Sequence, residues 1–305
     1  MIYTFTLNPA VDYFLTINGD LMIDEVNRGT DEFFKAGGKG LNVSKVLSLL
    51  RIPSKAVALL GGFTGNYITD QFVGNPYVEI VPVRVRGANR INLKAHYDHK
   101  ALCINGQGPT ADEVAKQQLL GIVKAVKEED TVVISGSMMS GLDEEFLILM
   151  ADITHEKGAA LVIDMEKITP EVLRRCRPSL IKPNLYELQL LMQDMSITKE
   201  TAPEALTKLR SEGVETILLS LGKDGALLAD KDGFLYLTQP ATPLVNKVGA
   251  GDAMLAAFLG KRTQGADREE SLRYGGAAGN AVASQLEDIT AETIDHFLPL
   301  MGTRK

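Results

Sequence analysis

The segments that decide the fold class are TVVIS at residues 131–135, ALVID at 160–164 and LIK at 180–182. The first two are short, nearly continuous apolar runs, and all three have the character of a strand buried on both faces of a sheet. Between these segments, the spacing of apolar residues predicts helices at about 143–157 and 169–176. The alternation of buried strands and helices indicates a mostly parallel sheet covered by helices on both faces.

The same alternation continues in both directions from these segments. Upstream, the apolar runs at residues 2–7 and 57–60 predict two further strands, and a helix is expected at about 111–127. Downstream, residues 216–219 predict another strand. We therefore expect residues 1–305 to form a single domain, a three-layer α/β/α sandwich with a mostly parallel central sheet.

Residues at about 12–35 and 86–106 have a different pattern. Apolar and polar side chains alternate along them, as in the series Ile91, Asn92 and Leu93. This period of two predicts β-strands, and little sequence with helical spacing lies beside them to cover them. We expect these two segments to form a small, separate β-sheet.

The composition excludes several classes of function. The formal net charge is −7 and the pI is about 5.3, so no strongly basic surface for nucleic acid or an anionic membrane is expected. Cys103 and Cys176 lack CxxC spacing, which favours reduced thiols in the cytoplasm over disulfides. The N-terminal residues lack a basic signal region, and the sequence has no run of eighteen apolar residues. We expect a soluble, cytoplasmic protein without a nucleic-acid or membrane partner.

The segment NKVGAGDAML at residues 246–255 is the strongest candidate for a functional site. Gly249 and Gly251 allow a tight turn, and the apolar spacing that follows predicts a helix. The free N–H groups and the positive end of a helix stabilise an anion, such as a phosphoryl group during transfer. Asp252 lies in the first turn, where this field should favour its ionised form, so it could accept a proton from a substrate hydroxyl. The alternative is an ordinary glycine turn with an acidic residue at the helix start.

A second glycine-rich segment, AGGKGLN at residues 36–42, also precedes an amphipathic helix. Gly37 and Gly38 would let the backbone approach a ligand closely, and Lys39 would offer a compact cation to a phosphate. The sequence has no GxxxxGK[ST] loop and no GxGxxG after the first strand, which disfavours P-loop and dinucleotide-binding enzymes.

Six motifs in this order resemble those of the ribokinase family of sugar kinases, and more narrowly its phosphofructokinase B branch. They are TLNPAVD at 6–12, GGKGLN at 37–42, SGS at 135–137, KPNLYE at 182–187, SLGKDG at 220–225 and GAGD at 249–252. The resemblance covers essentially the whole chain. It implies a ribokinase-like fold in which the small β-sheet is a lid over the substrate. It also implies a kinase that uses ATP as co-substrate and Mg²⁺ as cofactor.

The resemblance further implies roles for individual residues. Asp252 would be the catalytic base, and the backbone of Gly249, Ala250 and Gly251 would form the anion hole. The substrate would be bound by Asp12, Gly37, Gly38, Lys39, Asn42, Arg90, Arg28 and Ser137. The nucleotide would be bound by Asn184, Ser220, Gly222, Gly225 and Asn280. Glu187 would hold Mg²⁺, mainly through water.

Several of these residues also have simpler explanations. Asn184 and Glu187 have the spacing of a helix capping box, which is compatible with a role at the metal. Asp12 could be an Asx-turn residue, and Arg28 a solvated surface arginine. The glycine-rich helix predicted at 271–286 could owe its small residues to close helix packing alone.

Within the branch, residues 89–94 and 104–109 look most like those of enzymes that convert fructose 1-phosphate to fructose 1,6-bisphosphate, the 1-phosphofructokinases. The alternative is a tagatose-6-phosphate kinase, which makes tagatose 1,6-bisphosphate. A hypothesis of another class is a non-catalytic sugar-phosphate sensor on the same fold, which would not need Asp252. The resemblance also implies a homodimer formed through the β lid.

Overall fold

The computed structural model describes residues 1–98, 100–245, 248–285 and 287–305. In chain order the strands are β1 (Ile2–Thr6), β2 (Ala10–Ile17), β3 (Gly29–Gly37), β4 (Ser54–Leu60), β5 (Val78–Arg84), β6 (Arg90–Tyr97), β7 (Lys100–Asn105), β8 (Thr131–Gly136), β9 (Ala160–Met165), β10 (Leu180–Ile181), β11 (Thr216–Ser220), β12 (Ala226–Asp230), β13 (Gly233–Thr238) and β14 (Gly302–Arg304). The α-helices are α1 (Lys39–Leu49), α2 (Gly62–Asp70), α3 (Glu113–Lys124), α4 (Glu144–Glu156), α5 (Pro170–Cys176), α6 (Leu185–Met192), α7 (Ala202–Ser211), α8 (Ala250–Thr263), α9 (Arg268–Ala283) and α10 (Ala291–Phe297). Short 3₁₀ helices span Gly222–Asp224 and Leu298–Leu300.

The central sheet is mostly parallel, as predicted. Within the described residues its strand order is β14-β13-β12-β11-β10-β9-β8-β1-β4-β5. Neighbouring strands from β11 to β5 are parallel, whereas β12, β13 and β14 add an antiparallel edge. The chain runs from β1 to β4 and β5 on one side and then returns to β8 on the other side of β1. The strand order therefore reverses between β1 and β8, and such a reversal opens a ligand-binding crevice at the carboxyl ends of the strands.

Helices cover both faces of this sheet. On one face, helices α3 to α7 pack through buried apolar side chains such as Leu119 and Leu206. On the other face, α1, α8 and α9 pack through side chains such as Leu255. Side chains alternate along each strand, so Ile134 faces the first layer and Val133 the second. The predicted three-layer α/β/α architecture is confirmed.

The second sheet contains four strands in the order β3-β2-β6-β7. Strands β2 and β6 are parallel, with Asp12 opposite Asn92, while β3 and β7 pair with them in the antiparallel direction. These strands lie in the two segments, at about 12–35 and 86–106, that were expected to form a separate β-sheet. We refer to this sheet as the lid.

The predicted helices are present with shifted ends. The helix expected at 271–286 is α9, which begins at Arg268 because the Asp267 side chain caps it by accepting the N–H of Glu270. It ends at Ala283, and Leu286 lies outside the described residues. In the part of the chain that the structure describes, no helix has both the length and the apolar character needed to cross a bilayer.

The junction between the lid and the central sheet depends on Gly38. This residue separates β3 from α1 and has a φ of 138°, a conformation that residues with side chains rarely adopt. A Cβ atom at this position would also lie 2.5 Å from the Thr6 Cγ2 atom at the end of β1. Glycine is therefore required where the lid joins the carboxyl ends of the parallel strands.

Candidate active site

A cavity of about 660 Å³ lies at the switch point and is bordered by the lid. This volume is typical of sites for small molecules and cofactors. The cavity brings together most of the residues that were predicted from the sequence. These are Asp12, Gly38, Lys39, Asn42, Arg90, Ser137, Asn184, Glu187, Ser220, Gly222, Gly249, Ala250, Gly251, Asp252 and Asn280.

Asp252 lies in the first turn of α8. The helix begins after Gly249, which has a φ of 85°, so the glycine turn predicted from the sequence is present. The Asp252 side chain is buried, with the residue 6% exposed, yet it lines the cavity. Asn42 in α1 donates a hydrogen bond from Nδ2 to Asp252 Oδ2 over 2.8 Å. Two helices that are distant in sequence thus fix the position of this carboxylate.

The pKa of Asp252 is raised to about 6. Burial is the largest cause because it removes water from the charged form, and the nearby Asp164 carboxylate adds like-charge repulsion. Lys182, the hydrogen bond from Asn42, and Lys39 act in the opposite direction. The net shift is upward, so burial and Asp164 outweigh the groups that favour the ionised form of Asp252. With a pKa near 6 the carboxylate is mostly ionised at pH 7 and is a stronger base than an ordinary aspartate.

Two lysines share the buried carboxylate of Asp164 at the end of β9. Lys39 Nζ is 3.2 Å from Asp164 Oδ1 and 3.6 Å from Glu187 Oε1, and Lys182 Nζ is 3.4 Å from Asp164 Oδ2. Burial alone would lower the pKa of Lys39, but the surrounding carboxylates outweigh it and raise the pKa. A Cβ atom on Gly251 would lie 2.9 Å from Lys182 Nζ, so this ammonium packs against the first turn of α8.

The lid contributes a second group of polar side chains. Arg90 donates from Nη2 to the Asn8 carbonyl oxygen over 3.1 Å, and Asn92 donates from Nδ2 to Asp12 Oδ1 over 2.7 Å. Burial lowers the pKa of Arg90, and the neighbouring Asp12 carboxylate partly offsets this effect. Gly37 does not line the cavity itself. A Cβ atom there would lie 2.5 Å from Asp12 Oδ2, so this glycine makes room for the carboxylate.

Asn184 and Glu187 form the capping box of α6 that their spacing predicted. The Asn184 side chain accepts the Glu187 N–H over 2.9 Å, and Glu187 Oε2 accepts the Asn184 N–H over 2.8 Å. Both residues also line the cavity. The capping box therefore uses Glu187 Oε2, while Glu187 Oε1 lies near the ammonium group of Lys39.

Besides Gly37, two other predicted site residues lie outside the cavity. Gly225 has a φ of 93°, and a Cβ atom there would lie 2.1 Å from the Leu237 carbonyl oxygen, so it is needed for the turn between β11 and β12. The turn accounts for this glycine, and its direct contact with a nucleotide stays a prediction. Arg28 is exposed in the loop before β3 and does not line the cavity of its own chain.

Asn280 lines the cavity, but its amide group is already engaged. Nδ2 donates to Gln239 Oε1 over 2.8 Å and to the Gly276 carbonyl oxygen over 2.9 Å, while Oδ1 accepts from Thr242 over 3.0 Å. Both N–H groups are thus used within the protein. Asn280 therefore supports Gln239 and Thr242, which also line the cavity, and the nucleotide contact implied for Asn280 stays a prediction.

Sequence reasoning missed several residues that line the cavity. They include Thr6, Asn8, Asn92, Lys94, Asn105, Glu166, Lys182, Lys223, Gln239 and Thr242. Asn92 and Lys94 could have been found, because alternate residues of a strand share a face and Arg90 was already assigned. Among the described residues, buried side-chain atoms without a hydrogen-bond partner include Asn8 Oδ1, Arg90 Nε, Asn92 Oδ1 and Ser135 Oγ. All four belong to cavity-lining residues, which indicates a polar ligand.

This fold and this cavity define an enzyme that transfers an anionic group between small molecules. A helix N-terminus, a buried carboxylate with a raised pKa and clustered cations meet at the switch point of a doubly wound sheet. Such an arrangement stabilises charge that develops on a phosphoryl group and provides a base for its acceptor.

Comparison with known proteins narrows this class. The model for the pfkB family of carbohydrate kinases matches residues 6–294. A 1-phosphofructokinase from Bacillus subtilis is 34% identical over 299 residues, covering 98% of each chain. A D-tagatose-1-phosphate kinase from Bacillus licheniformis is 35% identical over 287 residues, covering 93% of this chain and 92% of the relative. The crystal structure of Escherichia coli phosphofructokinase-2 with substrates and products superposes with a TM-score of 0.90 at 25% identity, covering 98% of each chain.

The chain belongs to the pfkB family of carbohydrate kinases. It is a sugar-phosphate kinase with ATP as co-substrate, as the sequence resemblance implied.

Proposed function

We propose that this kinase transfers the γ-phosphoryl group of ATP to the C6 hydroxyl of fructose 1-phosphate. The products would be fructose 1,6-bisphosphate and ADP. The observation that carries the proposal is the position of buried Asp252 at the N-terminus of α8, in the same cavity as the cations Lys39 and Arg90. The relative named 1-phosphofructokinase supports this choice of substrate. Residues 1–305 would act as one kinase domain with the small sheet as its lid.

In the proposed reaction, Asp252 accepts the proton of the C6 hydroxyl as its oxygen attacks the γ-phosphorus. The bond from that phosphorus to the bridging oxygen breaks, and ADP leaves with the electron pair. Negative charge spreads over the phosphoryl oxygens in the transition state. The N–H groups of Gly249, Ala250 and Gly251 and the positive end of α8 would stabilise it. The Lys182 ammonium, which packs against Gly251, would add to this field.

The substrate would span the space between the lid and α8. The planar guanidinium of Arg90 suits the oxygens of the phosphate at C1, and Lys39 would add a compact cation. The sugar would contact Asp12, Gly38, Asn42 and Ser137, and Gly37 would leave room for the Asp12 carboxylate. The buried, unpartnered Nε of Arg90 supports its role, since that N–H group has no acceptor among the described residues.

The nucleotide phosphates would lie against Asn184, Ser220 and Gly222 on the other side of the cavity. Glu187 would hold Mg²⁺, mainly through water, because its Oε1 atom, 3.6 Å from Lys39 Nζ, is not used by the capping box. Within the described residues, no group of three or more His, Cys, Asp or Glu side chains could hold a metal. Mg²⁺ is commonly held by one or two carboxylates together with substrate phosphates and water, so one carboxylate such as Glu187 is sufficient. When bound, the ion would neutralise phosphate charge.

A second candidate substrate is D-tagatose 1-phosphate, the C4 epimer of fructose 1-phosphate. It is favoured by the relative named D-tagatose-1-phosphate kinase. This candidate differs from tagatose 6-phosphate, the alternative expected from the sequence, in the position of its phosphate. A phosphate at C1 leaves C6 as the acceptor, so the roles of Arg90 and Asp252 would be the same for both C1 phosphates. The hypothesis of a non-catalytic sensor is not retained, because the chain belongs to a kinase family and keeps Asp252.

A coupled ADP-release assay with Mg·ATP tests the proposal. Fructose 1-phosphate, D-tagatose 1-phosphate, tagatose 6-phosphate, fructose 6-phosphate and fructose would be offered in parallel. We expect the highest kcat/KM with fructose 1-phosphate. A preference for D-tagatose 1-phosphate would change the proposed substrate and leave the proposed mechanism unchanged. A preference for either 6-phosphate would contradict the proposed orientation of the sugar.

The same assay tests the role of Asp252. The substitution Asp252→Asn removes the proton acceptor and keeps the size of the side chain, so kcat should fall by roughly 10²–10⁴ with little change in substrate binding. Asp295→Asn is the matched control because Asp295 is exposed on α10, outside the cavity. An Asp252→Asn variant as active as the control would remove Asp252 from the role of base.

We also propose a homodimer formed through the lid. Its support is a group of exposed apolar side chains between β2 and β3, with Met22 57%, Ile23 75% and Val26 80% exposed. Arg28 lies in the same loop and would reach the cavity of the other copy. Analytical ultracentrifugation should give a dimer for the unmodified protein and a monomer for Val26→Asp. A monomeric unmodified protein would refute this proposal.

A further inference from the structure

Asn92 occupies the centre of the cavity-facing side of β6. Arg90 and Lys94, two residues before and after it, line the same cavity, since alternate residues of a strand share a face. Asn92 is 7% exposed and lies opposite Asp12 in the parallel pairing of β2 and β6. Its amide is therefore held deep in the cavity wall by the lid.

The orientation of this amide is fixed by chemistry. An ionised carboxylate can only accept hydrogen bonds, so the amide nitrogen of Asn92 must face Asp12. The observed contact agrees, with Nδ2 donating to Asp12 Oδ1 over 2.7 Å. The amide oxygen consequently faces away from Asp12. This atom, Asn92 Oδ1, is buried and has no hydrogen-bond partner among the described residues.

A buried acceptor without a donor is unfavourable, so a ligand that supplies a donor would be bound more tightly. A fully ionised phosphate has no proton to donate, whereas a sugar hydroxyl has one. Arg90, whose Cα lies about 7 Å from that of Asn92 along the strand, offers instead the unpartnered donor Nε. The strand thus presents a donor suited to a phosphate next to an acceptor suited to a hydroxyl.

We propose that Asn92 is a specificity-determining residue whose Oδ1 accepts a hydrogen bond from a secondary hydroxyl, at C3 or C4, of the ketose phosphate. The inference rests on the proposed function, since it requires a sugar phosphate in this cavity. Asp12 and Asn92 then form one recognition unit. Asp12 orients the amide, and the amide oxygen selects for a hydroxyl near the phosphate end of the sugar.

A cycle that combines enzyme variants with deoxy substrates tests this inference. The unmodified kinase should lose about 10- to 100-fold in kcat/KM on either the 3-deoxy or the 4-deoxy analogue of its ketose 1-phosphate, because the buried oxygen stays unpaired. In Asn92→Leu, which has a similar size and no acceptor, the parent and that deoxy substrate should differ by less than about threefold. His96→Ala is the matched control, since His96 is exposed on the same strand outside the cavity.

A purely structural role for Asn92 predicts a different result. In Asn92→Leu, kcat/KM would then fall by the same factor for the parent and the deoxy substrate. Their ratio of kcat/KM would stay as in the unmodified protein, and this result would overturn the inference. If Asn92→Leu does not fold, the unmodified protein still tests the inference. A loss in kcat/KM below about threefold on both deoxy analogues would contradict a hydroxyl contact at C3 or C4. Absence of turnover with every parent ketose phosphate would overturn the proposed function and this inference together.

Discussion

The acid limb of the pH profile should depend on Asp164, a residue that lies at the end of β9 and faces both lysines of the site. The pKa of Asp252 is raised to about 6, first by burial and then by the Asp164 carboxylate. With this pKa the base is about 90% ionised at pH 7, half ionised at pH 6 and about 10% ionised at pH 5. Because only the ionised carboxylate accepts a proton, kcat/KM should fall nearly tenfold between pH 7 and pH 5.

The substitution Asp164→Asn removes one negative charge and keeps the shape of the side chain. Loss of like-charge repulsion lowers the pKa of Asp252, and the released Lys39 and Lys182 can then pair with it, which acts in the same direction. The whole shift of Asp252 is from 3.8 to about 6, and burial remains after the substitution. We therefore expect the acid limb to move down by about one pH unit, so that at pH 5 the variant keeps roughly half of its own plateau.

Measurement of kcat/KM from pH 4.5 to 8 with a coupled or direct ADP assay would check this prediction. The substrate phosphate also titrates near pH 6, but it does so equally with both enzymes. The ratio of the variant to the unmodified enzyme therefore reports the enzyme group alone. The plateau should be lower in the variant, because both lysines lose an anchor, so the position of the limb is the diagnostic quantity.

The substitution Lys182→Met should shift the pKa of Asp252 in the opposite direction. Lys182 lowers the pKa of Asp252, so its removal should move the acid limb to higher pH. Asp295→Asn, which changes a charge on the surface, should leave the limb unchanged. Identical limbs in the unmodified enzyme and in the Asp164 and Lys182 variants, or shifts opposite to those stated, would refute the electrostatic coupling that the geometry implies.

Three further predictions concern the phosphate, the metal and the fold. Arg90→Lys should raise KM for the sugar phosphate by about tenfold or more with a smaller change in kcat, because an ammonium cannot replace the guanidinium fork; an unchanged KM would place the phosphate elsewhere. Glu187→Gln should raise the Mg²⁺ concentration for half-maximal rate about tenfold or more while thermal stability stays similar, since glutamine preserves the capping box; an unchanged Mg²⁺ requirement would remove Glu187 from the metal. Gly40→Ala should destabilise the protein by about 1–3 kcal/mol in urea unfolding, because its Cβ would lie 3.0 Å from the Phe5 carbonyl oxygen. Gly121→Ala, in an open position on α3, should instead stabilise it by up to about 1 kcal/mol, and equal effects of the two substitutions would contradict this reasoning.

The periodic features of the chain were predictable from the sequence. Strands β8 and β9 are apolar runs, and β6 has a period of two. Both patterns follow which side chains are buried, so the order of apolar residues predicts them. Glycine-rich turns are equally local, so the start of α8 after Gly249 and the junction at Gly38 could be located. The capping box of α6 belongs to the same category.

Local signals had limits even for these motifs. The resemblance implies nucleotide contact for Gly225, in the motif at 220–225, and for Asn280, in the glycine-rich helix predicted at 271–286. In the structure, Gly225 lies in a tight turn that packs against Leu237. Asn280 forms hydrogen bonds with Gln239 and Thr242. A motif identifies which residues are near a site, whereas only the neighbours in space decide which of them retain free hydrogen-bonding groups.

The electrostatics of the site were decided by the tertiary structure alone. Lys39 meets Asp164 across 125 positions of sequence, and Asn42 meets Asp252 across 210. The sequence placed Asp252 at a helix start and so suggested a lowered pKa, but burial and Asp164 raise it to about 6. The physical reason is that a pKa depends on the solvation and charges around a group in three dimensions, and residues distant along the chain supply most of both. The sequence by itself therefore determined the architecture and the class of chemistry, and the fold determined how the base is tuned.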